Sequence, residues 1–127
     1  MRKVLAPTDM APPAADYHHG LVVSSPTQVV RLSGQLGMAP DGTTPEAFEA
    51  QADLAWRNVA TLLRDAGMTV ADITKVTSYL VGAEHVAAYV EVHRRWTLDH
   101  LPPWTLLLVA GLGSPRFLVE IDVEAMR

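Results

Sequence analysis

The chain has 127 residues, 49% hydrophobic and 19% charged, which suits one folded domain over 1–127 and excludes a disordered polymer. It has no cysteine, so disulfides, zinc–thiolate centres and thiol nucleophiles are excluded. The net charge of −4 argues against a nucleic-acid partner, and no apolar stretch approaches the roughly 20 residues of a membrane helix. No apolar leader follows the basic start Met1-Arg2-Lys3, so a cytoplasmic protein without a membrane partner is expected.

Residues 1–16, with Pro7, Pro12 and Pro13, read as an extended arm with a short strand at Arg2 to Leu5. Tyr17 to Val23 and Gln28 to Leu36, separated by Ser24-Ser25-Pro26-Thr27, read as an antiparallel hairpin. Regular alternation in the second strand puts Val30, Leu32 and Gly34 on one face and Arg31, Ser33 and Gln35 on the other. After the turn Ala39 to Gly42, Thr44 as N-cap and Pro45 at the first helical position open a helix that runs to about Ala66 and stops at Gly67. Its apolar stripe is Phe48, Ala52, Ala55, Val59, Leu62, Leu63 and Ala66.

Ile73 to Val81 alternates as a long strand, with Val76 and Leu80 set against Lys75, Thr77 and Tyr79. Glu84 to about Leu98 reads as a second helix, with Val86, Val90 and Thr97 on one face and Tyr89 and Trp96 at its border. The cluster His93-Arg94-Arg95 reads as a solvated helix face. Leu101-Pro102-Pro103 ends that helix. Trp104 to Val109 and Phe117 to Glu124 then form the closing strands, the second with Phe117, Val119, Ile121 and Val123 on its buried face. Pairing these two as a hairpin would bring Trp104 near Glu120. The order predicts an α+β fold with a mixed β-sheet and two helices on one face. Ile73–Val81 and Trp104–Val109 are apolar on both faces, and two helices cover only one, so other subunits are expected on the second.

Leu32-Ser33-Gly34-Gln35-Leu36, the stretch Ala66 to Val76, Pro102-Pro103-Trp104-Thr105 and Phe117 to Asp122 resemble, in order and spacing, segments of the Rid family, the reactive intermediate deaminases, over about Ala11 to Ala125. The resemblance implies a chorismate-mutase-like fold, a homotrimer with pockets between subunits, and hydrolysis of enamines or imines such as 2-aminoacrylate, with no cofactor. It also implies catalytic roles for Glu120, which positions or activates water, and for Tyr17. Gly34, Gln35 and Arg31 join Trp104 as binding candidates for a small-molecule ligand.

The sequence departs from the family at Trp104, which stands where the deaminases carry an arginine that clamps the substrate carboxylate. An indole has one N–H donor and no charge, so it cannot replace that bidentate clamp. Trp104 is therefore either a packing residue or an aromatic wall for a flat or apolar ligand. Arg31 and Arg116 are candidates for a displaced cation, or simple surface arginines. His18 and His19 are adjacent on a strand and point to opposite faces, so no metal site is expected from them, although either could relay a proton. Gly111-Leu112-Gly113 opens no helix and is not a phosphate loop.

Overall fold

A computed structural model describes all residues 1–127. Its strands are β1 (Arg2–Leu5), β2 (Gly20–Val23), β3 (Val29–Arg31), β4 (Gln35–Leu36), β5 (Ile73–Leu80), β6 (Trp104–Leu108) and β7 (Val119–Met126). The helices are α1 (Phe48–Asp65) and α2 (Val86–Thr97). The main sheet runs β3–β7–β5–β6, with β4 also on β7, and a separate ribbon pairs β1 with β2. The β5–β6 pair is parallel and the others are antiparallel. This is the expected α+β plan, with both helices on one face of a mixed sheet. No helix is long and apolar enough to cross a membrane.

The core lies between that face and the helices. Ala52, Ala55, Trp56, Val59 and Leu63 of α1 meet Val76 and Leu80 of β5 and Val119, Ile121 and Val123 of β7. The alternation read for β7 is therefore the division between the helix face and the open face. Gly67 ends α1 as expected, at φ +73°, a conformation that costs glycine little. Buried Gln51 is a polar fastener on α1. Its amide donates to the Pro45 and Arg116 carbonyls and accepts from the Leu118 N–H, tying the helix start to the loop before β7.

The helix details differ from the sequence reading. Helix α1 begins at Phe48 after Ala47, with no side-chain cap. Thr44 lies outside it, and its hydroxyl is buried without a partner. Leu62 is 39% exposed, because the buried stripe turns through Trp56 and Gln51 instead. On α2 the buried residues are Tyr89, Val92, His93 and Thr97, so the helix is rotated from the face expected from Val86 and Val90.

Three strand expectations are also corrected. The segments around β2 and β3 form no hairpin, because β2 takes β1 as its partner and β3 takes β7. The last two strands form no hairpin either, because β5 lies between β6 and β7. Strand β6 follows β5 through a helix, and such a crossover returns the chain parallel to its predecessor. Finally, 28–36 is not one strand. Arg31 stands opposite Glu124 while Gln35 stands opposite Ile121, a one-residue slip across 32–34. A slip of one residue exchanges faces, so Arg31 and Gln35 do not share one.

Candidate functional site

The residues expected at the site fall into two groups on opposite faces of the sheet. Trp104 opens β6 beside Val76, which in turn stands beside Val123, so the indole points to the helix face. There it stacks on His93 of α2, with ring centroids 3.7 Å apart and an interplanar angle of 13°. Its Nε1–H donates to Ser78 Oγ at 3.0 Å. Ser78 shares a 2.6 Å hydrogen bond with Tyr89 Oη, which also accepts from Trp56 Nε1 at 3.3 Å. The indole donor is thus spent inside the protein, and the half-buried ring offers a ligand apolar and π surface only.

Tyr17 reaches the same place from the arm, its ring set edge-on to Trp104 at 6.5 Å. Two contacts hold the arm there. Asp16 pairs with Arg94 of α2 at 3.2 Å, and the His18 N–H donates to the Leu101 carbonyl at 3.1 Å. Leu101 sits at φ +51°, unfavourable for a residue with a β-carbon and the one strained residue at this corner. It turns the chain out of α2 into Pro102-Pro103 and so aims Trp104. Tyr17 Oη accepts from the Ala14 N–H, which leaves its own proton free to donate. His19 Nε2 lies 2.7 Å from the Ala11 carbonyl. No three His, Asp or Glu side chains converge as a metal site would require.

Glu120 lies on the open face, between Leu36 of β4 and Tyr79 of β5. The approach of Gly34 is so close that a β-carbon there would meet the Glu120 carboxylate, 2.7 Å from its Cδ and 2.9 Å from its Cγ. The carboxylate is half-buried and forms neither a salt bridge nor a hydrogen bond within the chain. Gln35 turns its amide to the Ser33 carbonyl. Arg31, also on the open face, is exposed and pairs with Glu124 at 3.5 Å.

The expectation that Trp104 and Glu120 line one pocket of a single chain is therefore corrected. They occupy opposite faces, two strands and three ladder positions apart, roughly 14 Å along the sheet by ordinary strand spacings.

Neither displaced-arginine candidate enters either group. Arg116 lies over the Phe117 ring and donates to the Gly42 carbonyl. His93 was read as part of a solvated basic face, yet it is 1% exposed and neither ring nitrogen has a partner. Burial pushes its pKa down to about 3, so it supplies no positive charge behind Trp104. The signal for His93 was present in the sequence: it lies four residues from both Tyr89 and Thr97, on the buried stripe of α2.

The chain matches the family model "Endoribonuclease L-PSP" over residues 8–127. It is 30% identical over 131 residues to Escherichia coli (strain K12) TdcF, named as a reactive intermediate deaminase, covering 99% of this chain and 96% of that one. It is 27% identical over 128 residues to the 2-iminobutanoate/2-iminopropanoate deaminase of Rattus norvegicus, covering 99% and 89%. Among solved structures, YyfB of Yersinia pestis, a Rid protein, superposes with a TM-score of 0.86 at 23% identity, covering 99% of this chain and 98% of that one. TdcF of E. coli with bound serine superposes at 0.74 with 27% identity, covering 98% of each. The fold, the match across nearly the whole length and the identity to TdcF together make this chain a member of the Rid (endoribonuclease L-PSP) family of reactive intermediate deaminase-like proteins.

Proposed function

We propose that this protein hydrolyses an imine or enamine at a site completed between copies of the chain in a homotrimer, and that it is a poor 2-aminoacrylate deaminase. The observation that carries this reading is the division of the site. Tyr17 and Trp104 stand on one face of the sheet and the unpaired Glu120 on the other, so a pocket using both takes them from two copies. On the open face, Leu107 of β6 stands beside Tyr79, the neighbour of Glu120, and is 44% exposed, surface that a second copy would cover. In the reaction, Glu120 takes a proton from water as the oxygen adds to the C=N carbon. Glu120 passes that proton, and then the proton of the added hydroxyl, to the nitrogen, which leaves as ammonia and gives the carbonyl product. A substrate carboxylate meets no clamp at Trp104, and losing such a charge-assisted contact costs about 1.5–3 kcal/mol, or roughly ten- to hundredfold in rate.

A non-catalytic small-molecule binder with the same pocket is the second reading, favoured by the inward commitment of the Trp104 N–H to Ser78. The net charge of −4 and the pairing of Arg94 with Asp16 give no support to an RNA substrate, despite the name of the family model.

Light scattering should give three times 13.8 kDa, about 41 kDa. In an assay coupling an amino acid oxidase to keto-acid detection, the wild type should barely exceed the uncatalysed rate. Trp104→Arg should raise it about tenfold or more, and adding Glu120→Gln should cancel the gain. Mixed trimers of Trp104→Ala with the Trp104→Arg/Glu120→Gln double variant should recover activity at about a quarter of their sites, since each interface draws its halves from two copies. A wild type as fast as Trp104→Arg would refute the altered activity. A monomer, or mixed trimers with no recovery, would refute the shared site.

A further inference from the structure

We infer that the ligand is a protonated imine or amine that carries no carboxylate, recognised by its positive charge; this rests on the shared site proposed above and adds the class of molecule it accepts. Substrates of arginine-bearing deaminases are held by their negative end. In this chain no arginine or lysine side chain is hydrogen-bonded to, ion-paired with or stacked on Tyr17, Trp104 or Glu120. The one basic ring against Tyr17, His19, turns its Nε2 to the Ala11 carbonyl. Arg94, the cation that anchors the arm, is paired with Asp16, and Arg31 is paired with Glu124. His93 behind the indole is buried and stacked, with both ring nitrogens unpartnered. Lys75 on the open face donates to Thr105 and stands four residues along β5 from Tyr79, the neighbour of Glu120, roughly 13 Å away at strand spacing.

What the two halves do offer is complementary to a cation. Glu120 is a half-buried carboxylate with no partner in its own chain, and Gly34 lacks the β-carbon that would displace it from this position. A carboxylate in that condition gains most from a ligand N–H⁺, because a charge-assisted hydrogen bond is about twice as strong as a neutral one. Across the pocket, the rings of Tyr17 and Trp104 present π surface, which attracts cations and repels anions. Replacing the arginine with tryptophan thus does more than remove a clamp: it changes the sign of the charge the site prefers.

The test is titration calorimetry at pH 6 with a matched pair of ring imines, 1-pyrroline and 1-pyrroline-2-carboxylate, on samples whose mass is checked by light scattering. The wild-type trimer should bind 1-pyrroline about tenfold more tightly than the carboxylate. Glu120→Gln should lose about that factor for 1-pyrroline and little for the carboxylate. Glu124→Gln, which removes the same charge from the same face beside Arg31, should change neither by more than about twofold. Trp104→Arg should reverse the order of the two probes. A trimer that binds the carboxylate as well or better, binds neither probe, or is indifferent to Glu120→Gln would overturn the charge assignment and leave the shared site standing. A monomeric sample would overturn the shared site itself, and the inference with it.

Discussion

Lowering the pH from 7 to 4.5 should cost the native state about 2.5 kcal/mol through His93 alone. The imidazole is 1% exposed, sandwiched among Trp104, Trp56 and Tyr89, and has no hydrogen-bond partner, so protonation inside the fold is strongly disfavoured. Its pKa falls from 6.5 to about 3 on folding. Above 6.5 both states are neutral and the histidine is silent. Between 6.5 and 3 the unfolded chain takes up a proton that the folded chain refuses, and stability drops by about 1.4 kcal/mol per pH unit. Below 3 the slope disappears. His93→Phe keeps an aromatic ring against Trp104, removes the titration and sacrifices no hydrogen bond. Urea denaturation of both proteins, followed by tryptophan fluorescence at fixed protein concentration at pH 7 and pH 4.5, gives the difference directly. The wild type should lose about 2.5 kcal/mol more than the variant across that interval. Equal losses would mean that His93 takes up its proton in the native state and that the packing described around Trp104 is wrong.

Two further perturbations read the elements that hold the site. Gln51→Ala leaves the Pro45 and Arg116 carbonyls and the Leu118 N–H without their partner, and should cost about 3 kcal/mol at roughly 1 kcal/mol per bond; a loss below about 1 kcal/mol in urea would refute the fastening role. Gly34→Ala and Gly37→Ala should behave differently, although each adds one methyl. At Gly37 the β-carbon meets the Gln51 carbonyl and lies 2.9 Å from its carbon, part of a helix that cannot yield, so a loss of about 2–3 kcal/mol is expected. At Gly34 it meets the Glu120 side chain, which can swing aside, so stability should change by less than about 1 kcal/mol while ligand binding at the Glu120 carboxylate is lost. Thermal melts and calorimetry on the pair separate the two effects.

Faces were easier to read in the sequence than partners. The alternation of Val119, Ile121 and Val123 with Glu120, Asp122 and Glu124 told which side of β7 is buried, because the period of a strand is local. It carried no information about the neighbour of β7, which is set by contacts far apart in the chain, and so a hairpin was read where β5 intervenes. The strand–helix–strand order of β5, α2 and β6 did contain the parallel crossover. Gly67 marked the end of α1 because a left-handed residue there has few alternatives. Thr44-Pro45 misled about its start, since cap chemistry three residues early looks the same in sequence. Tyr17, Trp104 and Glu120 were singled out as candidates through family-like segments. Their separation to opposite faces was not legible, because it depends on which strands are neighbours. His93 was hidden by Arg94 and Arg95, whose charges made its whole segment look solvated.

Strand β6 has consequences for how the protein behaves outside any assembly. It pairs only with β5, so its other side presents unpaired backbone groups. Pro102 and Pro103 guard its entrance, since proline has no N–H to offer an intruding strand. Beyond them no charged residue occurs until Arg116, and Leu107 and Leu108 are exposed. An apolar edge without gatekeeping charges invites pairing with any extended chain. Dilution and destabilising substitutions should therefore show up first as insoluble protein. Apparent stability in this chain will depend on concentration, and solubility after expression will report folding defects before any melting curve does.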